Sequence, residues 1–442
     1  MAHLRLCWRH RPVLAVLAGA ALLVAGCGAP AAPAPSAAAP TVAPARRPAG
    51  DRLYIRDGYK DDAERLTIVD GASGARERDL PPGIMSPDWS TLYVAEQSGE
   101  RTIVRALDVG SGRALREITL DGAYSLPLVT PDSVMGGLSP DGRWLALTAR
   151  AGSGKTQFIL LDTAFQQQPR QASLDGYFLF DGLNNSGTSL FLTESLGDDP
   201  TAKYQVRRYD LASGALDPNV IVDKLEGTKI MSGVRQTALA SANGDWLYSL
   251  YLNPAHGPFI HALPINDTVN VGLAFCIDLP ANGKQDPAKQ SRWSLIMSAD
   301  RHTLYAVNGA LGLVVQYSVS DGVPQVVRTG TLFDTPASVG AAALAAPAGS
   351  SASALAPDGK TLFTFGEHGL LVIDTNDLKL RGRYLADWTL DGVAISPDGA
   401  RLYAASAALG KIVRLDPRAG TIAAEVPAGG RPTGIVRVEA RA

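Results

Sequence analysis

Apolar and polar residues alternate along most of this chain in runs of four to eight. Each run is bounded by turn residues, and no stretch sustains the spacing of an amphipathic helix. One phrase recurs, a leucine followed in most copies by an aromatic residue at the start of a strand-like run. Its eight copies are Leu53-Tyr54, Leu92-Tyr93, Leu145-Ala146, Leu190-Phe191, Leu247-Tyr248, Leu304-Tyr305, Leu362-Phe363 and Leu402-Tyr403, spaced 39 to 58 residues apart. Most are preceded by a turn: SPDWST from Ser86, SPDGRW from Ser139, SANGDW from Ser241, SADRHT from Ser298, APDGKT from Ala356 and SPDGAR from Ser396. In such a turn Pro presets φ, Asp bonds its own backbone and Gly accepts positive φ, so the chain reverses tightly into a hairpin. A second apolar run follows and often closes on Asp with Gly four residues later, as at Asp70 and Gly74, Asp108 and Gly112, Asp210 and Gly214, and Asp416 and Gly420. A third turn and a fourth strand complete the unit, so each unit predicts four short antiparallel strands.

Four-stranded units repeated at this period predict an all-β fold, a single radial β-propeller over residues 51–442. The final unit, GVAISPDGARLYAASAALGKIVRLDPRAGTIAAEVPAGGRPTGIVRV from Gly392, resembles the YVTN family of WD40-like propeller repeats, and the other units resemble it more loosely. That resemblance implies the fold and leaves activity open. The first unit begins at its second strand, Arg52-Leu53-Tyr54-Ile55, whereas Pro432 to Val438 reads as a first strand with nothing after it. Joined, the two fragments make one blade closed by the C-terminal strand, which predicts eight blades. Seven is the alternative, should a degenerate unit be absorbed into a neighbour's loops.

The first 50 residues follow a different pattern. Arg5, Arg9, His10 and Arg11 precede an unbroken run of Val, Leu, Ala and Gly from Val13 to Ala25, about 20 Å long as a helix and too short for a ~30 Å hydrocarbon core. Leu23-Val24-Ala25-Gly26-Cys27 then forms a lipobox. The combination resembles bacterial lipoprotein leaders, which implies cleavage after Gly26 and lipidation of Cys27. Residues 1–26 are therefore expected to be a signal peptide. Of the 23 residues from Gly28 to Gly50, 16 are Ala or Pro, so 27–50 reads as a semi-rigid tether behind the lipidated cysteine. Several acyl chains anchor far more firmly than one, so the expected location is the extracytoplasmic side of the cell membrane, at the cell surface or in a periplasm.

Composition agrees with a folded chain of many short elements. Of 442 residues, 46% are hydrophobic and 19% charged, and 45 Gly and 29 Pro interrupt the sequence too often for long helices. A net charge of -2, more negative once the arginines of the leader are removed, leaves no basic cluster to hold a nucleic acid.

Few residues suggest chemistry. Ala149 to Thr156 (ARAGSGKT) meets the loosest form of a phosphate-binding loop, but Gln157 to Asp162 reads as a strand, so no helix N-terminus would meet a phosphate. Cys276 is the single cysteine of 51–442 and lies in an apolar run, where a buried inert thiol is expected. His256 and His261 belong to the same unit, so a Cys/His metal or nucleophile site is the alternative there. His302 and His368 lie in other units. The acidic pairs Asp61-Asp62 and Asp198-Asp199 read as solvated loop tips, and Trp89, Trp144, Trp246, Trp293 and Trp388 recur near the repeat turns as packing residues. The expectation is a membrane-anchored binding or interaction scaffold with no catalytic activity, cofactor or metal, presenting a propeller face to an unknown protein or small molecule. The alternatives are a structural envelope protein and a propeller enzyme of lactonase or dehydrogenase-subunit type.

Overall fold

A computed structural model describes residues 50–57, 65–127, 136–151, 154–199, 202–253, 257–266, 272–280, 287–333, 352–428 and 430–441. The leader, Cys27, nearly all of the tether, the Asp61-Asp62 pair and His256 fall outside them. The described residues build eight sheets, each a blade of a β-propeller, in the order predicted. Helix is confined among them to Pro287–Gln290. Each of the eight leucine-led phrases falls in the second strand of its blade, from Asp51–Asp57 in blade 1 to Leu402–Ser406 in blade 8. First strands of neighbouring blades touch one another, as Ser294–Met297 touches Ser353–Leu355 and Ser353–Leu355 touches Gly392–Ile395, so they surround the axis.

The phrase itself explains the assembly. Successive side chains of a strand point to opposite faces, so leucine and its successor address different neighbours. Leu53 packs with Tyr403, Ala405 and Ile412 of blade 8, whereas Tyr54 packs with Leu92 and Val94 of blade 2. Leu304 faces blade 5 beside Tyr248 and Ile260, and Tyr305 faces blade 7 beside Leu362 and Leu371. The same division holds around the ring, so the hydrophobic core is a set of interblade layers. All sixteen side chains are buried. At roughly 1.5–3 kcal/mol for each large apolar side chain, these layers are the main attraction between blades.

The turns before the phrase are held by one hydrogen-bond pattern. Ser86 Oγ donates to Asp88 Oδ1 at 2.6 Å and accepts from the Thr91 amide at 2.9 Å, and Ser139, Ser241, Ser298 and Ser396 repeat it with their own Asp or Asn. Glycine occupies the left-handed position in most of them, such as Gly142 and Gly399, while Trp89 and Arg301 adopt it with φ of 63° and 57°. The Asp-to-Gly turns are as regular. Asp210 Oδ1 accepts the Ala212 and Ser213 amides, and Asp416 accepts those of Arg418 and Ala419, which hold both carboxylates below their usual pKa.

The ring closes as expected. Pro432–Ala440 lies antiparallel to Asp51–Asp57, with Leu53 opposite Val438 and Ile55 opposite Ile435, and a bulge between them. The bulge lets Ile435 and Val438, three residues apart, enter the same apolar layer. Tyr403 Oη and Arg401 both donate to the buried Asp51 carboxylate, joining blade 8 to blade 1.

Two blades depart from the regular unit. In blade 3 three strands are continuous, and the innermost position is taken by isolated bridges from Ser125 to Thr148 and from Leu138 to Leu145. Blade 5 carries a fifth strand. Val222–Asp223, in the connection from blade 4, pairs in parallel with the outer strand Leu273–Asp278. The same connection bridges blade 4 through Ile221 to Val206 and Met231 to Tyr204. It is wedged between the two blades, and the functional candidates gather there.

Candidate site between blades 4 and 5

The wedged connection and the ends of three strands of blade 5 enclose a cavity of about 350 Å³. Asp223, Glu226, Met231 and Ser232 come from the connection, and Phe259, Cys276 and Asp278 from blade 5. Asp223 is held by pairing on both sides. Its amide bonds the Thr228 carbonyl at 3.0 Å, and its Oδ1 accepts the Leu225 and Cys276 amides, both at 3.1 Å. Its Oδ2 has no hydrogen-bond partner among the described residues, although the side chain is 4% exposed.

A polar network continues from the cavity along the interface between blades 4 and 5. Asp181, on the first strand of blade 4, accepts Arg235 Nη1 at 3.1 Å and Tyr251 Oη at 2.9 Å. Tyr251 stacks on Phe259 at 5.4 Å between ring centres and lies 5.8 Å from the His261 ring. His261 Nδ1 is 3.7 Å from Cys276 Sγ, the two residues facing each other across adjacent strands. Asp181 Oδ2, Tyr204 Oη and His261 Nε2 are also buried without a partner among the described residues. Buried polar atoms are seldom left so, and their concentration at one interface separates it from the rest of the ring.

Burial sets the protonation here. It pushes the Cys276 thiol far above its ordinary range, and Asp223, Glu226 and Asp278 push it the same way. The group is therefore a thiol near neutral pH, a weak nucleophile. Burial lowers the pKa of His261 below 6.5 despite the opposing pull of Asp181 and Asp223, which keeps the imidazole neutral. Tyr204 and Tyr251 are held as phenols by burial and by the Asp181 charge. The cavity thus offers carboxylates at its wall, with neutral donors and an aromatic face behind them.

Of the residues considered from sequence, the fold brings His261 and Cys276 together. Cys276 is only partly buried and lines the cavity, so the expectation of a buried inert thiol holds for its protonation and not for its access. Among the described residues no three His, Cys, Asp or Glu side chains are grouped closely enough to hold a metal ion. His302 lies exposed in its turn, and His368 stands edge-on to Phe333. Asp198-Asp199 are exposed, as expected of a loop tip. Lys155 opens the strand Lys155–Asp162 and pairs with Asp175 at 3.1 Å, and the described parts of the phosphate-loop match lie on two paired strands, with Gly152 and Ser153 outside the described residues. Trp293 is fully buried, and Trp144 carries Arg170 over its ring at 4.3 Å. Sequence reasoning missed Asp181, Tyr204, Asp223, Arg235 and Tyr251. An acid within the apolar run Phe178–Leu183, and a long connection before blade 5, were the available signals.

No family model matches the sequence, and neither does any curated protein. Solved structures resemble it. AztD from Citrobacter koseri superposes with a TM-score of 0.50 at 15% identity, over 88% of this chain and 97% of that one. The dihydro-heme d1 dehydrogenase NirN, in complex with DHE, gives 0.49 at 15% identity, over 88% and 75%. The periplasmic gluconolactonase PpgL of Pseudomonas aeruginosa gives 0.46 at 19%, over 88% and 99%. At these identities the likeness shows the propeller fold. It also corrects the expectation that the chain has no catalytic activity, because the similar propellers include proteins named as a dehydrogenase and a lactonase. In this architecture the side chains of a site come from separate blades, so the lack of a short catalytic motif is no argument against an enzyme. The propeller expected from the repeats stands, while their assignment to the YVTN type gains no support from a family model.

Proposed function

We propose that this protein is an exported, lipid-anchored propeller that binds a small ligand in the cavity between blades 4 and 5. The anchor rests on the lipobox at Cys27 and the Ala/Pro tether after it. The binding site rests on one observation: a cavity of about 350 Å³, within the size range of small-molecule sites, is built where the ring breaks its own repeat and is lined by the carboxylate residues Asp223, Glu226 and Asp278. A regular propeller interface needs no fifth strand, so this departure makes room for something other than packing.

The test is a thermal-shift screen of small metabolites on the parent and on Thr228→Trp, which fills the cavity from the connection. A compound that raises the melting temperature of the parent and not of the variant supports the reading. If every active compound acts equally on both proteins, or none acts, the cavity is not the site. Product analysis of the same mixtures reports whether the bound compound is also transformed.

A further inference from the structure

Three donors suited to a soft metal ion gather at one wall of the cavity. His261 and Cys276 face each other across adjacent strands, with Nδ1 and Sγ 3.7 Å apart. Bonds of about 2.3 Å to sulfur and about 2.0 Å to nitrogen would span that separation at an angle of about 120°, so one ion fits between the two atoms without movement of either strand. Met231 supplies the third donor. It packs with Cys276 against the rings of Tyr204, Tyr251 and Phe259, and both residues line the cavity. Its backbone is fixed by a pair of hydrogen bonds to Tyr204, at 2.9 and 3.0 Å.

The donor types decide which ion the wall suits. Thiolate and thioether sulfur select soft ions such as Cu(I), and imidazole also binds copper. Zinc takes three or four ligands from His, Cys, Asp and Glu, and calcium takes oxygens alone. Among the described residues no third His, Cys, Asp or Glu joins the pair, so the carboxylates of the cavity complete no set for those ions. Two sulfurs and one nitrogen near 120° are a trigonal set for Cu(I). The stacked rings of Tyr251 and Phe259, 5.4 Å apart, add the apolar shell that limits the access of water to such an ion.

We infer that the cavity between blades 4 and 5 takes up Cu(I), bound by Cys276 Sγ, His261 Nδ1 and Met231 Sδ. This inference rests on the cavity being the binding site. The copper–sulfur bond forms as the S–H bond of Cys276 breaks, and the proton leaves to solvent through the cavity. One monovalent ion replaces one proton, so the charge of the pair is unchanged.

The test is anaerobic competition for Cu(I) between a coloured chelator and the full chain, with Cys7 and Cys27 replaced by Ser so that Cys276 is its one thiol. One Cu(I) per chain is expected, with a thiolate-to-copper absorption in the ultraviolet that Cys276→Ser lacks. Met231→Leu keeps the size of the side chain and removes the thioether, so it should weaken Cu(I) about ten-fold while the melting temperature of the metal-free protein stays at the parent's value. Failure of the parent to take Cu(I) from the chelator overturns the inference, as does binding by Cys276→Ser or Met231→Leu as tight as by the parent. Zn(II) displacing Cu(I) at equal concentration would also overturn it, in favour of a divalent ion. Should no Cu(I) bind while another compound acts on the parent and not on Thr228→Trp, the copper falls and the cavity stands. If Cu(I) binds parent and Thr228→Trp alike, the cavity reading falls.

Discussion

At the scale of single residues, His261 shows how a β-propeller changes character at one interface. It occupies a strand position that blades 3, 6, 7 and 8 fill with Ile159, Val315, Leu371 and Val413, and its neutral imidazole sits between Tyr251 and Cys276 with Nε2 unpartnered among the described residues. A folded-state pKa below 6.5 means that the unfolded chain takes up the proton more readily than the folded one. The stability from a neutral His261 is therefore complete above the unfolded value near 6.5. It is lost as pH falls below that value, until the lowered folded value is reached. The turn carboxylates Asp210 and Asp416, with pKa values lowered from 3.8, weaken the fold only at more acidic pH. Urea unfolding of the parent should thus show a decline from about pH 7 to about pH 5 that His261→Gln lacks. Parallel slopes in the two proteins would mean that His261 does not titrate on unfolding in this range.

At the scale of elements, the C-terminal strand bears on the whole ring because it is the inner strand of the blade that holds the first residues of the propeller. Its backbone pairs with Asp51–Asp57, the Arg431 amide bonds Asp57 at 2.9 Å, and Tyr54 Oη donates to Glu439 at 3.0 Å. A chain ending at Arg431 would lose the strand pairing, the Tyr54–Glu439 bond and the burial of Ile435 and Val438, together about 3–6 kcal/mol from the two side chains alone. Against a typical stability of about 5–15 kcal/mol, that is enough to open the ring. The truncated protein should melt at lower temperature and be cut by protease at sites protected in the parent, with blade 1 and its unpaired edge first. A melting temperature equal to the parent's would show that the ring holds without this strand.

At the scale of the whole molecule, the question is where the propeller sits in the cell. No helix among the described residues is long and apolar enough to cross a membrane, and the proposed attachment is the lipid on Cys27. Replacing Cys27 by Ser should transfer the protein from the membrane fraction to the soluble exported fraction, with the melting temperature of the propeller unchanged because the substitution lies outside it. Retention of Cys27→Ser in a form released only by detergent would refute the lipid anchor.

How far the sequence alone reaches follows from what is local in this fold. Strand alternation, the Ser-to-Asp turns and the leucine-led phrase act within a dozen residues. They sufficed to determine the all-β class, the eight blades and the closure by Pro432 to Val438, because every blade solves the same short-range problem. The candidate site was legible only in part. Cys276 and His261 could be placed in one unit, but their facing positions depend on the register of two strands separated by a hairpin. The cavity was decided by tertiary structure alone. Its fifth strand pairs in parallel with a segment about 50 residues away, a pairing that needs no turn and leaves no periodic trace. Asp181, Tyr204, Asp223, Arg235 and Tyr251 come from separate strands and a connection. Apart from Asp181, an acid in an apolar run, each is ordinary in its own segment, and only the packing of blade 4 against blade 5 turns them into a buried polar cluster.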